Sequence, residues 1–142
     1  MSCKRMFAVA MVGVMSTGAG TQAALRDLAP RQFIVGFWVG PPSEQTTPER
    51  YKEIAQAGFN LVMPPCPPPP RGEVVELNKR ILDLCRDNGM QAVVEDPRVV
   101  GARPDSPDFE RNLDGVVSDY GSHPALYGYY VMDEPSIHEF PR

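Results

Sequence analysis

An α/β fold made of repeated parallel β/α units is what this sequence predicts, and three observations lead there. Continuous apolar runs rich in β-branched and aromatic residues recur four times. Stretches with apolar residues at helical spacing lie between them, and proline or glycine signals separate the two kinds of segment. Strands that are apolar throughout, rather than alternating, are those of a parallel sheet covered on both faces by crossover helices.

The first run, Phe33-Ile34-Val35-Gly36-Phe37-Trp38-Val39, closes at Gly40-Pro41-Pro42 and reads as a buried strand. Thr47-Pro48-Glu49 then offers an N-cap, a proline at the first helical position and an acid in the first turn. Tyr51, Ile54, Ala55 and Gly58 mark one face of that helix, which runs to about Ala57 with Gly58 as its stop. Phe59 to Met63 is the second strand. The loop Pro64-Pro65-Cys66-Pro67-Pro68-Pro69-Pro70 ends it, since proline has no N–H to donate to a ladder. Val74, Leu77, Ile81, Leu84 and Cys85 give the second helix its apolar stripe, with Asn88-Gly89 as its C-terminal stop.

Met90 to Asp96 is the third strand, ended by Pro97. Ser106-Pro107-Asp108 repeats the cap, proline and acid order before a third helix whose apolar face is Phe109, Leu113, Val116, Val117 and Tyr120. Gly121-Ser122-His123-Pro124 breaks it, with His123 as a turn residue, and Ala125 to Met132 is the fourth strand, ending in Asp133-Glu134-Pro135.

Two architectures have this β-α-β-α-β-α-β order. A doubly wound nucleotide-binding sheet usually carries a G-x-G-x-x-G turn after its first strand, and here that turn holds two prolines. A TIM-type barrel places its chemistry in the loops after its strands, and Trp38, Asp96, Arg98, Asp133 and Glu134 stand at those ends. The barrel is favoured. A full barrel takes about 250 residues, so the 142 residues here are expected to hold only its first four strands, a half-barrel or fragment able to self-associate through its open sheet.

Lys4 and Arg5 precede an apolar run from Met6 to Met15, followed by small residues and Thr21-Gln22-Ala23. That order is a secretory signal peptide over residues 1–23, and the run is far shorter than the roughly 20 residues of a membrane span. The mature domain is then 24–142, in an exported protein, periplasmic or extracellular. Losing Lys4 and Arg5 leaves 12 basic residues against 18 acidic ones, a net charge of −6. Such a surface argues against nucleic acid or an anionic membrane as partner. Of the three cysteines, Cys3 leaves with the signal. Cys66 and Cys85 are expected to stay unbridged, because twelve helical steps before Cys85 span about 18 Å.

Glu134 is the most informative single residue. At the C-terminal end of a barrel strand, between an apolar run and Pro135, its carboxyl is expected to be partly desolvated and its pKa raised toward that of a general acid. Alternation gives Tyr130 and Met132 the same direction and turns Tyr129 and Val131 to the helices. Trp38 has the ring to stack on a sugar and equally the apolar bulk to be core. Asp96 and Arg98 stand as a structural ion pair at the mouth or as substrate contacts. A metal site is not favoured, because neither His123 nor His138 falls at a strand end.

The segment Tyr130-Val131-Met132-Asp133-Glu134-Pro135 resembles the fourth-strand end of the clan of retaining glycoside hydrolases built on TIM barrels. Phe33 to Pro42, with Arg50 to Asn60, is similar to the opening βαβ unit of the same clan. The resemblance implies a secreted glycosidase, with Glu134 as acid/base and without a cofactor. Asp133 stands where the clan has Asn, and Trp38, Asp96, Arg98 and Tyr130 are then candidate contacts for a carbohydrate. The clan's nucleophile closes strand seven, which is not in this sequence, although retention needs two carboxyls about 5 to 5.5 Å apart. The alternative is a non-catalytic carbohydrate-binding or structural half-barrel.

Export gives a direct test: the secreted protein should begin at Ala24 or Leu25, where the small residues end. Intact-mass spectrometry of secreted material reads this, and a chain retaining residues 1–23 in the cytoplasm would contradict it.

Overall fold

The computed structural model describes residues 33–134. The expected signal, residues 1–23, the start of the domain at 24 and the stretch from Pro135 onward lie outside them.

Three helices alternate with three parallel strands. They are α1 (Pro48–Gln56), β1 (Leu61–Val62), α2 (Val74–Asp87), β2 (Gln91–Glu95), α3 (Phe109–Tyr120) and β3 (Leu126–Tyr130), with single 3-10 turns at Ser43–Gln45 and Arg71–Glu73. The sheet order is β1-β2-β3, so each successive βαβ unit adds a neighbouring strand. The protein is therefore α/β with a small open parallel sheet. Among the described residues no helix is long and apolar enough to cross a membrane.

The helix signals act where the sequence places them. Thr47 caps α1, its Oγ1 accepting from the Arg50 N–H at 3.2 Å, with Pro48 at the first position. Gly58 ends it at φ +88, a conformation that costs a side chain and suits glycine. Helix α2 buries Val74, Ile81, Leu84 and Cys85 as expected, and also Asn78 and Leu82. Helix α3 differs at its start. Its N-cap, Asp108, makes no side-chain cap bond and pairs with Arg111 at 2.8 Å instead.

The first expected strand is reduced to two parallel bridges, Gly36 to Leu61 and Gly40 to Pro65. Phe37 packs on the core but Trp38 is 70% and Val39 51% exposed, so the buried strand read from the sequence is corrected to an edge segment. Side-chain and loop contacts hold it. The Val35 N–H donates to Asn60 Oδ1 at 2.8 Å, and the Gly40 N–H to the Pro64 carbonyl at 2.9 Å. Phe37 meets Phe59 edge-on at 5.2 Å. A Cβ at position 40 would lie 2.1 Å from the Met63 carbonyl oxygen, so only glycine permits this approach.

One core unites all three helices. Tyr51 from α1, Ile81, Leu82, Leu84 and Cys85 from α2, and Val116 and Tyr120 from α3 pack with Val62, Met90, Ala92 and Val94. In β2 the burial alternates, Ala92 and Val94 buried and Gln91, Val93 and Glu95 half-buried. The expectation of a strand buried on both faces thus fails for β2, because the helices cover one face. On α3, Leu113 and Val117 are exposed where the sequence placed them in the core. No described element packs over that side.

β3 carries an irregularity: Ala92 pairs with Leu126 but Val93 with Gly128, leaving Tyr127 as the extra residue of a bulge. Beyond it Val94 pairs with Tyr129 and Glu95 with Tyr130, so Tyr129 packs toward the core and Tyr130 shares the face of Glu95.

Among the described residues, β3 has no strand on its far side; Tyr127 on β3 is exposed, as are Val131 just after it and Val117 on α3. The protein should therefore self-associate and bind a hydrophobic dye. Sedimentation and dye fluorescence should both fall in V117K/Y127K, with stability within about 0.5 kcal/mol of the parent because both positions are exposed. A strictly monomeric, dye-silent parent would contradict the open edge.

Candidate functional site

Glu95 and Asp96 are adjacent at the C-terminal end of β2, and the pleat sends them to opposite faces. Asp96 continues the parity of Met90, Ala92 and Val94 and is 2% exposed on the helix side. Burial of a carboxylate is tolerated when its oxygens are bonded. Arg98 provides a fork, Nε to Oδ1 at 2.9 Å and Nη2 to Oδ2 at 2.7 Å, and its backbone N–H adds a bond at 2.9 Å. The Tyr120 hydroxyl donates to Oδ2 at 2.9 Å. Arg98 Nη2 also reaches Asp119 at 2.8 Å, and Asn78 Nδ2 donates to Tyr120 at 3.3 Å and to the Glu95 carbonyl at 2.9 Å. Asp96 and Arg98 are thus the ion pair of the two sequence readings. Their bonds to Tyr120 and Asp119 tie the end of β2 to α3, and Asn78 of α2 joins through the Tyr120 hydroxyl.

Burial alone would raise the Asp96 pKa, but the bonds from Arg98 and Tyr120 outweigh it and hold the carboxyl below its ordinary range. Arg98 is raised in return, first by its bonds to Asp96. The Tyr120 hydroxyl is pushed up to about 12, chiefly by burial.

Glu95 faces the other way, into a concavity of about 210 Å³ at the C-terminal ends of the strands. Trp38, Tyr130 and Asp133 line it with Glu95, between the edge segment and the proline loop at Met63 to Cys66. Three of the residues expected at a carbohydrate therefore meet here: Trp38, Tyr130 and Asp133. Trp38 is exposed rather than core. Burial pushes the Glu95 carboxyl up. The Tyr130 hydroxyl is also raised, first by desolvation and then by the carboxylates of Asp133, Glu95 and Glu134.

Glu134 is not on the lining of the concavity. Alternation from Tyr130 through Met132 was expected to aim it with Tyr130, but strand geometry stops at Tyr130 and the chain bends at Asp133 and Glu134. Asp133, one residue earlier, takes the place on the lining. Glu134 is exposed, which corrects the expected desolvation, and its φ of 43 is unusual for a residue with a side chain.

Glu95 is the site residue that the sequence reading passed over. Its signal was present: Gln91 and Glu95 share one parity of β2 while Met90, Ala92 and Val94 share the other, so the odd positions are the open face. Cys66 is exposed on the lining and Cys85 is buried, both as free thiols. Among the described residues no group of three His, Cys, Asp or Glu side chains converges as metal ligands. Comparison of the chain with family models, with curated proteins and with solved structures gives no match.

The Asp96 network sets a pH dependence with a defined sign. A folded-state pKa below the unfolded value contributes stability that is present above the unfolded value and is lost as pH falls through the folded one. Stability should therefore fall on acidification below about pH 4. Y120F should lower stability by about 1 to 3 kcal/mol at neutral pH and flatten the acid limb, read by urea unfolding across pH. An acid limb unchanged in Y120F would separate the network from it.

Proposed function

We propose that this protein is an exported carbohydrate-active protein of glycoside-hydrolase type, whose described part is the first half of a TIM-type barrel. The carrying observation is the convergence of Trp38, Glu95, Tyr130 and Asp133 on one concavity at the C-terminal strand ends, the face where barrel enzymes hold substrates. An exposed indole offers a stacking surface, and carboxylates and a phenol offer bonds to hydroxyl groups. Sequential strand order with all helices feeding one core supports the barrel, since a doubly wound sheet divides its helices between two faces. In this reading Glu134, next to Asp133, protonates the leaving oxygen, and Asp133 and Tyr130 orient the sugar.

A second reading, carbohydrate binding without catalysis, draws on one observation: Glu134 is exposed and off the lining of the concavity. The two readings part at Glu134.

Glu134→Gln keeps shape but removes the transferable proton. Glycosides with poor leaving groups should then lose about 10² to 10⁴-fold in rate, and activated aryl glycosides much less. Trp38→Ala should weaken sugar binding roughly 2- to 10-fold in either reading. Unchanged hydrolysis in Glu134→Gln removes it from the mechanism. These rates are read in a longer protein that also supplies the strand-seven carboxylate, since this chain alone is expected to be inactive; binding there without hydrolysis selects the second reading, and no binding of any sugar overturns both.

A further inference from the structure

The concavity beside Trp38 is lined by acids and by no base. Elsewhere the acids of this chain find arginines: Asp96 pairs with Arg98, Asp83 with Arg86, Asp105 with Arg103 and Asp108 with Arg111. Glu95 and Asp133 do not. Among the described residues neither carboxylate has a cationic partner, and Arg71, on the neighbouring cavity that Glu95 also lines, forms no ion pair with it.

The hydroxyl groups of a neutral sugar donate as well as accept, so a wall built for them offers both. This wall offers chiefly acceptors. Pro64, Pro65 and Pro68 carry no N–H, Val39 and Met63 have apolar side chains, and the Tyr130 hydroxyl is bonded to Asp133. The side-chain donors left on the lining are the Trp38 indole N–H and the weak Cys66 thiol. An ammonium suits that surplus, because it brings three N–H donors and no acceptor and its bonds to carboxylates are charge-assisted.

Carboxylates alone attract any cation, and the indole narrows the ligand. Trp38 is 70% exposed on the same concavity, where an aromatic face takes a ring by stacking or a cationic group by its quadrupole. Burial pushes the Glu95 carboxyl up while the concavity is empty. A cation beside it works in the opposite sense and favours the ionised form.

We propose that the concavity selects an amino sugar, a ring packed on Trp38 whose free ammonium is held by Glu95 and Asp133. The inference rests on the carbohydrate reading above and narrows its substrate class from sugars in general to cationic ones. Both acids are binding residues here, and neither takes the part given to Glu134.

The test is a calorimetric titration of the full chain at about pH 6, above the ordinary carboxylate range and below that of an amine. The probes are methyl β-glucosaminide and β-galactosaminide, their N-acetyl derivatives, the corresponding neutral methyl glycosides, and cyclohexylamine as an amine without a sugar. At least one amino glycoside should bind about 10-fold or more tightly than its neutral and N-acetylated counterparts, and added salt should remove most of that preference. Asp133→Asn and Glu95→Gln should each reduce the preference, and Trp38→Ala should weaken every sugar. The N-acetyl and salt comparisons need no variant, so they stand even where Glu95→Gln fails to fold by circular dichroism. Neutral or N-acetylated glycosides bound as tightly as the amino glycosides overturn this inference and leave the carbohydrate reading intact. A preference unmoved in folded Asp133→Asn and Glu95→Gln overturns the assignment to these acids. Cyclohexylamine bound as tightly as the amino glycosides, or no sugar bound at all, overturns the carbohydrate reading itself.

Discussion

The pleat of β2 is the constraint on which the rest of this molecule depends. Met90, Ala92, Val94 and Asp96 all face the helices, and each is buried against α2, α3 or both. Three of them anchor by apolar contact. The fourth does so by an ion pair and a tyrosine hydroxyl, which fix the strand end in register with α3. Once that parity is set, Gln91, Val93 and Glu95 have nowhere to go but the other face. The acidic wall of the concavity is thus a by-product of how the core is nailed down.

A buried ion pair at this place is weak evidence for stability, because desolvation offsets much of the attraction. Its bidentate geometry argues for specificity of placement. Arg98 follows Asp96 by two residues and turns the chain back under the strand end, so the loop toward α3 leaves on the helix side. A hydrophobic pair of equal volume would fill the space without dictating that direction.

Much of the fold was legible in the sequence because helix boundaries carry local chemistry. Thr47-Pro48, Gly58, Asn88-Gly89 and Gly121 mark ends that the structure reproduces to within a residue or so. The long-range facts were less legible. Phe33 to Val39 has the composition of a buried strand, but burial depends on partners, and this edge segment has partners on one side. The apolar stripe of α3 was read whole, although only Val116 and Tyr120 are buried and Leu113 and Val117 are exposed. At the site, Trp38, Tyr130 and Asp133 were visible from their positions at strand ends, whereas Glu95 needed the parity of β2 to be resolved first. Glu134 was placed by extending a strand past the point where its backbone bends.

The bulge at Tyr127 sets the phase of everything after it. In an unbroken register Val93 would pair with Tyr127, Val94 with Gly128 and Glu95 with Tyr129, and the two adjacent tyrosines would exchange faces. Tyr129 would then stand beside Glu95, and Tyr130 would press into the core. Residue 127 therefore acts as a counter rather than a contact. Its side chain is half in solvent, but its presence as one extra step selects which phenol lines the concavity. The site is in this sense tuned by length, and side-chain exchange at 127 can leave it intact where loss of a single residue there would rewrite it.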